Sequence, residues 1–121
     1  MASLRRGVFG KRGKGHEGIL ELNDRDFERV IRDRELVLVD FWAEWCAPCV
    51  LLEPIMKELH DRYGERVAFY RLDVNENPMV ASRYRVMSLP TLMLFRRGVP
   101  IGMLVGAMPK ERIEEWLKGH L

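Results

Sequence analysis

The sequence predicts an α/β domain, a central mixed β-sheet of about five strands flanked by four helices. Three observations carry that expectation. Five short apolar runs alternate with stretches of helical periodicity, the pattern of helices laid on a largely parallel sheet. One run, Leu36–Phe41, is apolar almost throughout, as a strand reads when both faces of its sheet are covered. The last two runs flank Arg96, Arg97 and Gly98, whose glycine suits a hairpin turn and so an antiparallel pair.

Gly18–Leu22 is a short first strand. Asn23 or Asp24 can cap a helix through Asp33 that places Phe27, Val30 and Ile31 on one face. After Leu36–Phe41, a long helical pattern runs from about Cys46 to Tyr63, with Leu52, Ile55, Met56 and Leu59 stacked along it. Pro54 lies inside, where its missing N–H and bulky ring predict a kink. Val67–Val74 is the next strand. Asn77 then reads as a cap, and Pro78 as the first position, of a short helix to about Tyr84. Thr91–Phe95 and Ile101–Val105 form the hairpin, and Pro109 opens a last helix with Ile113, Trp116 and Leu117 facing inward. The order is βαβαβαββα.

At 121 residues, 47% hydrophobic and 31% charged, the chain suits one globular domain that needs neither disulfides nor metal to hold its core. No apolar run approaches the roughly 20 residues of a membrane-spanning helix. The net charge of +2 conceals an asymmetry. Residues 1–16 carry Arg5, Arg6, Lys11, Arg12 and Lys14 and no acid, which leaves fifteen basic against eighteen acidic residues in the remainder. The expected division is a flexible, glycine-rich basic arm over 1–17 and a domain over 18–121. Val8 and Phe9 are too short an apolar stretch for a secretory signal, and the glycines spoil the amphipathic helix of a transit peptide. A solvated arm is the simpler reading.

The two cysteines, Cys46 and Cys49, leave none over for a structural bridge, which points to a reducing compartment and to a catalytic or metal-binding pair. Three positions apart at a helix start, the sulfurs lie on one face and can close a small ring. The first sits near the helix's unpaired N–H groups and positive dipole end, which stabilise a thiolate, and the thiolate is the nucleophile. Structural zinc requires four ligands, and His16, His60 and His120 do not form the missing pair. Asp40 is a second anomaly, a carboxyl inside the apolar run. Unless it escapes to solvent at the strand end, burial raises its pKa and fits it to move a proton to or from the second sulfur. Arg71, on a neighbouring strand, could pair with it.

The stretch from Val39 through Asp40, Trp45 and Cys46 to Cys49 resembles the active-site signature of the thioredoxin family. Similar matches are Asp73 to Pro78, Ser88-Leu89-Pro90-Thr91 and Val105-Gly106-Ala107, in order and at the family's spacing. The resemblance covers about residues 18 to 121 and implies the thioredoxin fold. It implies that Cys46 is the attacking cysteine, Cys49 the resolving one, Asp40 the buried proton-transfer group and Pro90 a cis-proline beside the disulfide. Trp45, Val74, Leu89, Pro90 and Gly106 match a shallow apolar rim that receives an extended segment of the target, and Trp42 a buried structural tryptophan. The chain departs from the family pattern at Ala47, usually glycine; at Val50, usually basic; and at Arg71, which replaces a lysine beside the aspartate and fixes its charge permanently.

The resemblance further implies a cytoplasmic, monomeric protein-disulfide reductase acting on disulfide-containing target proteins. A flavin-containing thioredoxin reductase drawing on NADPH would re-reduce it. No cofactor resides on this chain, which lacks a dinucleotide fingerprint, and no nucleic acid or membrane span is implied. A disulfide isomerase or oxidase of the same fold is one alternative, although such relatives carry histidine between the cysteines. A binding module whose redox state is incidental is the other.

Overall fold

The computed structural model describes residues 18–121, and the expected basic arm over 1–17 lies outside the described residues. The elements are β1 (Leu20–Leu22), α1 (Phe27–Arg32), β2 (Leu36–Trp42), α2 (Ala47–Tyr63), β3 (Ala68–Asp73), α3 (Pro78–Arg83), β4 (Thr91–Arg96), β5 (Val99–Val105) and α4 (Lys110–Lys118). The sheet order is β1-β3-β2-β4-β5. β3 runs parallel to β1 and β2, and β4 antiparallel to β2 and β5.

The nearly continuous apolar run of β2, broken only by Asp40, explains its central place. Every residue from Leu36 to Phe41 is buried, because the alternation of a strand sends successive side chains into two separate cores. Leu36 and Leu38 join Leu52, Met56, Leu59, Ile113 and Leu117 beneath α2 and α4. Val37, Val39 and Phe41 join Phe27, Ile31 and Val80 beneath α1 and α3. Asp40 follows Leu36 and Leu38 at the same period and therefore points to the α2 face. Pro54 sits inside α2 without ending it, and the helix is continuous over 17 residues.

The β4–β5 hairpin closes through Arg97 at φ 50° and Gly98 at φ 86°. Two successive positive φ values make the mirror-image turn whose twist matches that of the flanking strands. β5 begins two residues earlier than Ile101 and includes Pro100, which an edge strand tolerates. Pro109 is the N-cap of α4, and Ile113 and Leu117 are buried with Trp116 packed beside them.

The expected caps are redistributed. α1 starts at Phe27, because Asn23 Oδ1 accepts the Asp26 N–H (2.8 Å) and forms a turn ahead of the helix. Asp24 reaches α3 instead, where its carboxylate accepts the Met79 and Val80 N–H groups at 3.0 and 2.9 Å. Asn77 precedes α3 but does not cap it. Its Oδ1 accepts the Asp24 N–H (2.9 Å), and its Nδ2 donates to the Asp73 carbonyl (3.2 Å). A helix of six residues holds together mainly by such outside support. Asp24→Ala should therefore lower stability by about 1 kcal/mol, the usual worth of a cap. Urea denaturation measures this, and an unchanged midpoint would show that water satisfies those N–H groups equally well.

Candidate active site

The site forms where β2 ends and α2 begins. Cys46 stands at the N-cap of α2 in an extended conformation, and its N–H donates to the Ala43 carbonyl (3.1 Å). Its Sγ accepts the Cys49 N–H at 3.2 Å, so the sulfur occupies the place of a capping oxygen among the helix's orphan donors. Pro48 lies in the first turn, where its missing N–H costs nothing. Cys46 and Cys49 are joined as a disulfide with their Cα atoms 5.3 Å apart. Both are buried, Cys46 at 4% exposure and Cys49 at 1%. Ala43 completes this small cluster, with Trp42, Val74 and Leu89 packed against it.

Of the rim residues expected from sequence, Val74 and Leu89 thus pack against the cysteine cluster. The Val74 N–H donates to the Trp42 carbonyl (3.0 Å), which anchors the loop after β3 to the end of β2. The Leu89–Pro90 peptide is cis, and Pro90 is buried. The Pro90 carbonyl accepts the Gly106 N–H (2.8 Å), which joins those two positions. Gly106 has φ 98°, a conformation that favours glycine although no atom stands within 4 Å of where a Cβ would lie. Trp45 is 69% exposed and is not among the residues packed on the cysteine cluster. Val50 and Leu51, also exposed, extend the apolar surface along the outer side of α2.

Asp40 does not escape to solvent. It is 1% exposed, and its Oδ1 accepts no hydrogen bond. Burial pushes its pKa up from 3.8 to about 7; the Arg71 charge opposes that rise, and Glu21 and Glu53 add to it. Arg71 lies directly across from Asp40 in the β2–β3 register. Its charge acts on Asp40, and its guanidinium is also held by two further acids. It bonds to Glu21 Oε2 at 3.0 Å and Glu53 Oε2 at 3.2 Å, and it lies 3.9 Å over the Trp42 ring. Glu21 and Glu53 escaped the sequence reading. Glu53 had a signal, since it follows Cys49 by four positions on a helix and so shares its side. Glu21 had none without the strand register. Trp42, set aside as structural, touches both the cysteine cluster and the buried arginine.

Among the described residues no group of three or more His, Cys, Asp or Glu side chains could hold a metal ion, and no helix is long and apolar enough to cross a membrane. A dithiol–disulfide pair at a helix N-terminus, on a five-stranded mixed sheet with four helices, defines a thiol–disulfide oxidoreductase. The family model for thioredoxin matches residues 18–119. Thioredoxin from Staphylococcus epidermidis is 44% identical over 103 residues, covering 85% of this chain and 98% of that protein. Thioredoxin from Staphylococcus aureus is 43% identical over the same length and coverage. Among solved structures, oxidized mitochondrial thioredoxin 3 from Saccharomyces cerevisiae superposes with a TM-score of 0.80 at 31% identity, over 88% of this chain and 99% of that one. A mutant thioredoxin from Halobacterium salinarum gives 0.76 at 32% identity, over 84% and 88%. The chain belongs to the thioredoxin family.

Proposed function

We propose that this chain reduces protein disulfides with Cys46 as the attacking sulfur, Cys49 as the resolving sulfur and Asp40 as the group that takes the Cys49 proton. The observation that carries the assignment is the position of Cys46 Sγ at the N-cap of α2, where it accepts the Cys49 N–H. Those donors favour a thiolate over a thiol. The Cys46 thiolate attacks one sulfur of a target disulfide. The target's S–S bond breaks, and its freed sulfur leaves and is protonated. The Cys49 thiol passes its proton to the Asp40 carboxylate, and the resulting thiolate attacks Cys46 Sγ. The Cys46–target bond breaks, and the second target sulfur leaves and takes a proton. Two electrons and two protons have passed to the target, and the chain is left as the Cys46–Cys49 disulfide.

Val74, Leu89, Pro90 and Gly106 form the rim against which an extended target segment lies, with exposed Trp45 as its outer wall. Arg71 supports Asp40. The partners are disulfide-containing proteins and a thioredoxin reductase, whose flavin and NADPH supply the electrons. The chain's own redox group is the cysteine pair, with no further cofactor. We read it as a cytoplasmic monomer, a reading supported by its bacterial relatives and by the lack of any spare cysteine for a structural bridge.

The reduction potential tests the direction of transfer. No charged or imidazole group stands between the cysteines, so equilibration with glutathione buffers should give a value closer to roughly −270 mV, the reference figure for thioredoxin itself, than to the roughly −120 mV of a strong oxidant. A value at or above about −180 mV would favour the isomerase or oxidase reading.

A further inference from the structure

Asp40, Arg71 and Glu21 stand side by side across β2, β3 and β1. Arg71 is the register partner of both acids, so all three side chains leave the same face of the sheet. That is the face covered by α2, from which Glu53 reaches the same guanidinium. Three carboxyls therefore share one permanent cation. The two that reach solvent, Glu53 with 29% and Glu21 with 45% of the side chain exposed, make the hydrogen-bonded contacts to it. Asp40, with 1% exposed, has an oxygen that accepts nothing.

We propose that Glu53, assisted by Glu21, is a positioning residue for the proton-transfer carboxyl: it holds the Arg71 guanidinium over Trp42 and shares its charge, so that Asp40 is not locked as a carboxylate and stays able to exchange a proton. The proposal rests on the proton-transfer role given to Asp40 above. With Glu53 neutral, the positive charge of Arg71 falls more heavily on Asp40, which then ionises more readily. Both acids act on Asp40 in this sense, and both hold the guanidinium directly, Glu21 at 3.0 Å from β1 and Glu53 at 3.2 Å from α2.

The groups around Asp40 are few. β3 contributes Arg71, and Glu21 lies beyond it on β1. β4 contributes the apolar Leu92 opposite. α2 contributes Glu53, with Lys57 four positions beyond it. Asp73, at the end of β3, acts on Glu21.

The test is carbon-13 NMR titration of the Asp40 carboxyl in the oxidised full chain, with the pH profile of insulin reduction as a second reading. Glu53→Gln should move the Asp40 midpoint down by about half to one pH unit, and the acid side of the rate profile with it. Glu21→Gln should move both in the same direction. A loss of packing alone would lower stability without moving the midpoint downward. An Asp40 midpoint that stays fixed or rises in Glu53→Gln, while Asp40→Asn alters the rate profile, overturns the role of Glu53 and leaves that of Asp40 intact. An Asp40→Asn profile identical to that of the parent protein overturns the role of Asp40, and the proposal with it.

Discussion

Replacing Cys46 by serine should reduce insulin turnover to background, a loss on the order of a thousandfold or more for removal of a nucleophile. Cys49→Ser should behave differently. Its Cys46 thiolate remains at the helix N-terminus and can still attack, but nothing then displaces the bound target. That variant should accumulate as a covalent mixed disulfide with its targets. Brief iodoacetamide treatment of the reduced parent protein should label Cys46 before Cys49, since the outer sulfur holds the N-cap position and the inner one lies within the first turn of α2. Mass spectrometry of the trapped species would name the target proteins. Trapping by Cys46→Ser, or faster labelling of Cys49, would reverse the two roles.

Asp40→Asn should make the fold more stable while making the enzyme slower. The sign follows from its folded pKa of about 7, above the value of 3.8 taken for the free carboxyl. Between those values the folded state binds the proton more strongly than the unfolded chain does. Its stability therefore falls as pH rises from about 4 to about 7 and then levels. Asparagine removes that dependence. The variant should match the parent below pH 4 and exceed it by roughly 2 to 4 kcal/mol above pH 7. Denaturant midpoints across that range check the prediction, and a constant difference at all pH values would show that Asp40 does not titrate there. Turnover at pH 7 should fall about tenfold, less than the largest effects of positioned proton transfer, because solvent can also deprotonate Cys49. The deficit should narrow as pH approaches the free-thiol range near 8.5.

What was legible in the sequence was local. The spacing of Cys46 and Cys49, the charge of Asp40 inside an apolar run and the alternation of β and α patterns all lie within short windows, and each corresponds to an element of the structure. Boundaries moved by one to four residues where turns intervened, as at Asn23 and Val67. Long-range contacts were the illegible part. The cap of α3 comes from Asp24, 55 residues before the Met79 N–H it accepts, and Asn77 held the right residue type in the wrong geometry. Arg71 was visible as a basic residue near Asp40, yet its hydrogen-bonded acids are Glu21, set by the β1–β3 register, and Glu53, set by the seating of α2.

The division of the interior by β2 also separates two routes of evolutionary drift. Val74 and Leu89, which pack against the cysteine cluster, also rest on the core beneath α1 and α3. Asp40 and its charged neighbours lie on the opposite side, beneath α2. On the proposed roles, substitutions in the first half would reshape which proteins dock while leaving the acid–base chemistry alone. On the same roles, substitutions in the second would retune the working pH without altering the docking contour. The two cysteines lie at the seam, so one lineage can diversify its clientele and another its chemical environment on an unchanged scaffold.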